Sequence, residues 1–307
     1  MTAGESEMPD QSEDLGVMVG VDGSAASTAA VRWAARWAAM RNTALTIVHA
    51  SAPVVPQSSL VEWRGPSPSD VMRAQEEQAQ RLVNDAANTA NDTVGGLRIQ
   101  TKAIFAAPVH ALLEVSNDAQ LVVVGRRGRS SLSGVLLGSV STAMVHRAPC
   151  PVAVIHDEYP AEAASTNAPV LVGVDGSPAS ELATAIAFDE ASWRGVELVA
   201  LHAAFDSDPF GIHEMEWGFI EPKTHEALAK GLAGWQERYP DVRVRPLLVF
   251  DRPAHHLTEQ AKTAELVVVG SRGRGEFTEL LLGSVSAAVV QATRTPVIVG
   301  RRGTVPQ

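Results

Sequence analysis

Two glycine-rich segments with the same spacing carry the pattern in this sequence that is best suited to bind a phosphate group. The first is Gly125-Arg-Arg-Gly128, followed after nine residues by Gly138-Ser-Val-Ser141. The second is Gly270-Ser-Arg-Gly273, followed after nine residues by Gly283-Ser-Val-Ser286. Glycines after a strand let the backbone turn sharply and point several N–H groups at one anion. A helix that begins at the third glycine would add its own unpaired N–H groups and the positive end of its dipole.

Charged and hydroxyl side chains accompany both segments. Arg127 and Arg272 could donate charge-assisted hydrogen bonds to phosphate oxygens, and these are stronger than neutral ones. The hydroxyl of Ser141 could cap the following helix or donate to phosphate. An aspartate, Asp22 or Asp175, follows the first aliphatic run of each half of the chain. Each carboxylate could bond a nucleoside or help to hold a magnesium ion that bridges phosphate oxygens.

The two segments belong to an internal repeat that covers nearly all of the 307 residues. Residues 17–24 recur at 170–177, and residues 119–155 align without a gap on 264–300, with 20 of those 37 positions identical. Self-similarity of this length predicts two copies of one domain. We expect a flexible N-terminus over residues 1–14. The predicted domains cover residues 15–156 and 169–301, joined by a linker over 157–168 that lacks a periodic apolar face.

Each half alternates short aliphatic runs with helical stretches. The predicted strands cover residues 16–21, 44–49, 98–105, 120–125 and 151–155, and then 170–174, 197–202, 242–249, 265–270 and 296–299. The predicted helices of the first half cover residues 27–40, 70–91, 109–117 and 139–146. Near-continuous aliphatic runs are typical of strands that are covered on both faces of a parallel sheet. The pattern predicts two tandem Rossmann-like α/β domains, each an open five-stranded parallel sheet of order 3-2-1-4-5 with helices on both faces.

In such a sheet, ligands bind in the crevice where the strand order reverses, between the first and fourth strands. The nucleotide-binding residues predicted there in the first half are Gly20, Asp22, Ala50, Gly125, Arg126, Arg127, Gly128, Arg129, Gly138, Ser139, Val140 and Ser141. Those predicted in the second half are Gly173, Asp175, Ala203, Gly270, Ser271, Arg272, Gly273, Arg274, Gly283, Ser284, Val285 and Ser286. The two alanines end the second strand, where main-chain groups could read an adenine edge.

The composition narrows the classes of partner. A formal net charge of −10 argues against a broad nucleic-acid or anionic-membrane surface, so the arginines are interpreted as part of a site for a small anion. No apolar segment approaches the ~18 residues that would span a membrane. The single cysteine, Cys150, lies between two prolines and predicts a buried structural thiol in a reducing compartment. We therefore expect a cytoplasmic protein without membrane insertion.

Three interpretations of the phosphate-binding pattern remain open at this point. No Gly-x-x-x-x-Gly-Lys-Ser/Thr motif occurs, which excludes an ordinary P-loop NTPase. Phosphoryl transfer usually needs a cationic clamp, a metal and a positioned base or water, and the pattern supplies only arginines and one aspartate per site. No catalytic residue is predicted, and nucleotide binding with little turnover is favoured. The alternatives are a slow ATPase or nucleotidyl-transferring enzyme of related fold, and a structural module with empty pockets.

The two segments and the two aspartates resemble the nucleotide signature of the tandem universal stress proteins, in their ATP-binding, actinobacterial type. That signature, Gly-two-Gly-nine-Gly-Ser/Thr, is matched in both halves, and the resemblance covers about residues 15–300. It implies one ATP per domain, with Mg²⁺ held near Asp22 and Asp175. It further implies a homodimer formed through the last strands, a role in stress response or growth control that can involve a regulatory protein partner, and slow or absent hydrolysis.

Overall fold

A computed structural model of the chain describes residues 15–53, 67–128, 137–159, 167–204, 217–273 and 282–301. The elements of the first half are β1 (Val17–Gly20), α1 (Ala25–Arg41), β2 (Leu45–Ala50), α2 (Pro68–Thr93), β3 (Ile99–Ile104), α3 (Pro108–Val115), β4 (Leu121–Gly125), α4 (Ser139–Arg147) and β5 (Val152–Ile155). Those of the second half are β6 (Val170–Gly173), α5 (Pro178–Arg194), β7 (Leu198–Ala203), α6 (Trp217–Arg238), β8 (Val244–Val249), α7 (Pro253–Ala261), β9 (Leu266–Gly270), α8 (Ser284–Ala292) and β10 (Val297–Gly300). Every predicted element occurs, with its ends shifted by no more than two residues.

The first helix of each half begins and ends through local side-chain chemistry. Ser24 precedes α1 and Ser177 precedes α5, and each hydroxyl accepts a hydrogen bond from an N–H of the first helical turn. The helices end at Asn42 and Gly195, which both adopt the left-handed conformation that these residue types tolerate. A serine before the first turn and a left-handed residue after the last turn therefore set the ends of both helices.

The strands of both halves form one continuous sheet, with ten strands in the described residues. Their order is β3-β2-β1-β4-β5-β10-β9-β6-β7-β8. Within each half every neighbouring pair is parallel, and the order counted from the first strand of that half is 3-2-1-4-5. This confirms the predicted fold class. The strand order reverses between β1 and β4, and between β6 and β9.

The last strands of the two halves join the two sheets. β5 and β10 pair antiparallel, with Ala153 opposite Ile298. The two domains therefore meet at these strands, and the expected contact between two chains there is corrected, because each strand already has a neighbour on both sides within one chain. Dimerisation itself stays a prediction. The outer edges of the sheet are β3 and β8 instead. Lys102 on β3 and Pro246 on β8 are residue types that disfavour further strand pairing.

The apolar core lies in two layers, one on each face of the sheet. Helices α1, α2, α5 and α6 cover one face, and α3, α4, α7 and α8 cover the other. Successive strand residues alternate between the layers, so that Val17 and Val19 face the first layer and Met18 faces the second. Each layer contains buried residues from both halves of the chain. The two domains therefore share their cores as well as their sheet.

A buried carboxylate links α1 to α5 in the first layer. Glu190 accepts hydrogen bonds from Trp37 Nε1 at 2.7 Å and from Arg41 at 2.9 Å, and it also pairs with Arg194 at 3.0 Å. Burial lowers the pKa of Arg194, but Glu190 and Glu265 outweigh it and raise the pKa above its ordinary value. At the interface between α1 and α5, one arginine from each domain thus binds the same carboxylate.

The remaining predictions about the chain as a whole concern its thiol and the membrane. Cys150 is buried, and desolvation raises the pKa of its thiol to about 12. This agrees with a structural rather than a reactive cysteine. Among the described residues, no helix combines the length and the apolar character that a membrane span requires.

Candidate functional site

Each half contains a cavity at the carboxyl ends of its first and fourth strands, beside the N-terminus of its last helix. The cavity volumes are about 550 Å³ in the first half and about 570 Å³ in the second. The predicted residues that line the first cavity are Gly20, Asp22, Ala50, Gly125, Arg127, Gly128, Gly138, Ser139, Val140 and Ser141. Those that line the second are Gly173, Asp175, Ala203, Gly270, Arg272, Gly273, Gly283, Ser284, Val285 and Ser286. The fold therefore brings together residues that are more than a hundred positions apart in the sequence.

Two predicted residues do not line these cavities, and two more are not described by the structure. Arg126 is buried away from the first cavity, where its guanidinium Nη2 donates to the carbonyl of Gln291 at 2.8 Å. Ser271, at the equivalent position, does not line the second cavity. Arg129 and Arg274 lie outside the described residues.

The aspartate and the glycine-rich loop face each other across each site. A Cβ added to Gly128 would lie 2.6 Å from Asp22 Oδ2, and one added to Gly273 would lie 2.8 Å from Asp175 Oδ2. The other carboxylate oxygen is fixed locally, because Asp22 Oδ1 accepts the N–H of Ser24 at 3.0 Å and Asp175 Oδ1 accepts the equivalent N–H at 2.8 Å. One oxygen of each carboxylate thus orients the side chain, and the other points toward the loop.

The helix that begins at each site has an open N-terminus. Gly138 is the residue that precedes α4, and no side chain caps that helix. The equivalent Gly283 precedes α8 in the same manner. The hydroxyl of Ser141 donates to the carbonyl of Gly125 at 2.6 Å, and that of Ser286 donates to the equivalent carbonyl at 2.5 Å. These hydroxyls fasten the helix to the end of the strand, and the first-turn N–H groups remain directed at the cavity edge.

Gly125 allows α1 to pack directly on the end of β4. A Cβ at this position would lie 2.6 Å from the carbonyl carbon of Ala26, which is closer than real Cβ contacts. Gly270 meets Ala179 in the same way at 2.7 Å. This close approach brings the first turn of α1 or α5 against the cavity, so the glycine has a packing role as well as a turning role.

Two histidines at the ends of the second strands have structural bonds. His49 Nδ1 donates to the carbonyl of Val21 at 2.8 Å, and His202 Nδ1 donates to that of Val174 at 2.7 Å. Each bond ties the second strand to the segment that carries the aspartate. Both histidines therefore have a structural role in backbone hydrogen bonding.

Sequence reasoning missed the wall that α3 and α7 contribute. Pro108 and Leu112 line the first cavity, and Pro253 and Leu257 line the second. The leucines pack beside the first-strand glycines, with Leu112 Cδ1 at 3.4 Å from a Cβ built on Gly20. The available signal was the recurrence of proline and leucine at the same offset in both copies. These residues supply an apolar surface opposite the polar loop.

Among the described residues that line each cavity, the charged side chains are one arginine and one aspartate. Arg127 lines the first cavity and Arg272 the second. Burial, followed by repulsion from Arg127, lowers the pKa of Arg126 below its usual range. Among the described residues there is no group of three or more His, Cys, Asp or Glu side chains that could hold a metal ion by itself. The arrangement can therefore bind an anion, and the single carboxylate can add one ligand to a metal that the anion brings.

Comparison with known proteins assigns the family. The model of the Universal stress protein family matches residues 16–156 and again residues 166–301. Universal stress protein Rv2005c of Mycobacterium tuberculosis is 48% identical over 291 residues, which cover 94% of this chain and 97% of that protein. Universal stress protein Rv2623 of the same organism is 46% identical over 298 residues, covering 96% and 99%.

A solved structure shares the two-domain fold. The crystal structure of a universal stress protein from Archaeoglobus fulgidus covers 95% of this chain and 100% of its own, with a TM-score of 0.64 at 21% sequence identity. The chain belongs to the universal stress protein family and carries two copies of the family's domain.

Proposed function

We propose that each domain binds one ATP together with Mg²⁺, and that the protein is a nucleotide-dependent regulator of stress response or growth with little or no hydrolysis. One observation carries the proposal. In both halves, a carboxylate oxygen faces a glycine-rich loop at a distance that leaves no room for a Cβ, beside a helix N-terminus without a side-chain cap. The recurrence of this arrangement in two sequences that have diverged elsewhere supports a shared ligand.

The dimensions and polarity of the cavities suit a nucleoside triphosphate. Volumes of about 550 and 570 Å³ lie within the usual range for small-molecule sites, roughly 300–1,000 Å³. The phosphates would lie against the loop amides, the first turn of α4 and Arg127. The base would lie toward Ala50 and the apolar wall formed by Pro108 and Leu112. The same assignments apply to the equivalent residues of the second domain.

The donor set fits Mg²⁺ only as a partner of the nucleotide. Mg²⁺ requires six oxygen ligands in near-octahedral geometry and is usually bound by one or two carboxylates together with substrate phosphates. Each site offers one carboxylate, Asp22 or Asp175, that points toward the phosphate loop. When bound, the metal would neutralise phosphate charge, and the aspartate would orient it.

The limited catalytic equipment favours binding over turnover. Asp22 Oδ1 already accepts a backbone N–H, and the ring of His49 already bonds a backbone carbonyl. Among the described residues of the first cavity, the remaining polar side chains are Arg127 and the serine hydroxyls. With Asp22 Oδ2 assigned to the metal, this set supplies no further side chain as the positioned general base that phosphoryl transfer to water needs. We expect steady phosphate release slower than about one per second, the low end for enzymes.

Substitution of the loop glycines tests the proposal. In Gly128→Ala, the new Cβ displaces the Asp22 carboxylate and meets no backbone atom of the described residues within 4 Å, so the fold should survive. We expect the affinity of the first site for Mg-ATP to fall by at least about tenfold, equivalent to about 1.4 kcal/mol. Gly273→Ala should have the same effect on the second site. The measurements are equilibrium dialysis, and chromatographic identification of the nucleotide released on denaturation.

Gly95→Ala provides the matched control, since a Cβ at Gly95 meets nothing within 4 Å. It should bind two ATP per chain, as the wild type does, whereas each cavity variant should show one unweakened site. Wild-type protein that binds no ATP, or cavity variants that bind as tightly as the control, would refute the proposal. Steady phosphate release above about one per second would favour an enzyme instead.

A further inference from the structure

Hydrogen bonds run directly from the loop of one cavity to the helix of the other. The N–H of Leu282 donates to His146 Nδ1 at 3.2 Å. Leu282 lines the second cavity and immediately precedes Gly283, the residue before α8. His146 lies in the last turn of α4, the helix whose first turn borders the first cavity. The segment that leads into α8, beside the second cavity, is therefore held by a side chain of the first domain.

A second bond runs in the reciprocal direction. Arg126 belongs to the loop of the first cavity, where its carbonyl accepts the N–H of Gly138 at 2.9 Å. Its guanidinium reaches into the second domain and donates to the carbonyl of Gln291 in the last turn of α8. The backbone of Arg126 thus shapes the first site while its side chain holds the helix of the second.

A third contact anchors the end of α4 to the second domain. Arg301, which follows β10, donates to the carbonyls of Val145 and Ala148 at 2.7 and 2.8 Å. Burial lowers the pKa of Arg301, and repulsion from Arg272 lowers it further. Because Arg272 lines the second cavity, phosphate bound there would offset this repulsion.

We infer that the two nucleotide sites are positively coupled, and that His146, Arg126 and Arg301 are positioning residues for the site of the other domain. The inference rests on the proposed function, since it assumes a nucleotide in each cavity. A ligand that fixes Arg126 or Leu282, at the described ends of the two loops, also fixes the helix end of the other domain that is bonded to it. The second ligand then has less left to order. Linkage requires the effect to be reciprocal: each occupied site raises the affinity of the other by the same factor.

The chain itself supplies the informative substitutions. In the alignment of the two halves, His146 corresponds to Gln291 and Arg126 corresponds to Ser271. His146→Leu removes the acceptor for the Leu282 N–H. His146→Gln keeps an acceptor and introduces the residue that the other domain has at this position. If His146 had only a structural role, both variants, once shown to be folded, would have the same coupling between their nucleotide sites.

The experiment is a calorimetric titration of nucleotide-free, full-length protein with Mg-ATP. Gly273→Ala reports the first site with the second weakened, and Gly128→Ala reports the reverse. Coupling is the factor by which the affinity for the second ATP in the wild type exceeds the affinity that the single-site variants report for the same site. We expect a factor of at least about five, the lower end of measured allosteric couplings. It should fall toward one when His146→Leu is introduced and persist with His146→Gln.

Three outcomes would overturn the inference, and only the last of them would also overturn the proposed function. A wild-type isotherm equal to the sum of the single-site isotherms would show that the sites are independent. Coupling that is unchanged in His146→Leu would show that the Leu282–His146 bond does not carry it. Either result would leave the proposed function standing. No binding of ATP by the wild type would overturn the proposed function and the coupling together. Thermal unfolding of each variant without nucleotide confirms that a loss of coupling is not a loss of fold.

Discussion

Asp22 and Asp175 use their two carboxylate oxygens differently. One oxygen accepts an N–H two residues further along the chain, and the other lies against the loop glycine. An aspartate is short enough to make the local bond and still present its second oxygen at the cavity. The loop glycine is required because any side chain there would occupy the space of that oxygen. The two residue types thus depend on each other although they are far apart in sequence.

Burial of Cys150 gives a prediction at the same scale. The thiolate is the reactive form of cysteine, and the pKa of about 12 lies 3 units above the ordinary value of 9.0. The thiolate fraction at pH 8 should therefore be lower in the folded than in the unfolded protein by a factor on the order of a thousand. An aromatic disulfide reagent at pH 8 should modify unfolded protein rapidly and native protein far more slowly. Equal rates in native and unfolded protein would contradict the prediction.

The raised pKa also fixes a direction for stability against pH. The folded state retains the thiol proton to higher pH than the unfolded state does. The contribution of Cys150 to the free energy of unfolding is therefore complete below about pH 9, and it is lost as pH rises from 9 toward 12.

At the scale of elements, the packing of α1 on α5 depends on a charge that the two helices share. Glu190 is buried, and Arg41 and Arg194 approach it from different domains. Arg41 also stacks on Trp37, with its guanidinium carbon 4.5 Å from the ring centroid. In the alignment of the two halves, Trp37 and Glu190 occupy the same position. The copies have diverged there into two different residues that bond each other.

Removing the charge of Glu190 should destabilise the protein strongly. Glu190→Gln leaves two arginines at a buried site without their shared counter-charge, which typically costs about 3–5 kcal/mol. Asp189 and Glu265 also contact these arginines, so a loss near the lower limit is expected. The measurement is the free energy of unfolding from denaturant titration at pH 7.

Glu197→Gln is the control, since the ion pair of Glu197 with Arg245 at 3.2 Å is solvent-exposed. Exposed pairs contribute about 1 kcal/mol or less. A loss for Glu190→Gln no larger than that of the control would show that the shared carboxylate does not hold the two helices together.

At the scale of the whole molecule, the two domains form a single folding unit. The sheet continues across the antiparallel pair β5 and β10, and each apolar layer contains residues from both halves. Separation of the domains would expose Ala153 and Ile298, which are fully buried in the described structure. Interfaces of this continuity differ from the small polar contacts of domains that move independently.

We therefore expect equilibrium unfolding in a single cooperative transition. Tryptophan fluorescence, which includes Trp33 and Trp37 in the first domain and Trp235 in the second, should change together with far-ultraviolet circular dichroism. Two separated transitions, or probes with different midpoints, would show that one half unfolds while the other remains intact.

The sequence predicted residues that line the cavities where the pattern was local and repeated, and their role in binding nucleotide stays a prediction. The glycine segments, the aspartates and the strand-ending alanines line the cavities as expected. Arg126 was predicted to bind nucleotide because it belongs to the glycine-rich segment Gly125-Arg-Arg-Gly128. Its side chain instead crosses to the second domain, where the carbonyl of Gln291 accepts its hydrogen bond. Adjacent residues of a loop can point in different directions, and sequence position does not reveal which one faces the ligand.

The amino-acid sequence by itself determined the repeat, the order of helices and strands, the parallel sheet of each half and the loops at the strand ends. Hydrophobic periodicity, turn residues and capping residues act over short distances, so they can be recognised without a structure. The tertiary structure decided that β5 pairs with β10 inside one chain, that α3 and α7 wall the cavities, and that His146 and Arg126 reach across the domains. These contacts join residues distant in sequence, and their partners are chosen by the packing of the folded molecule.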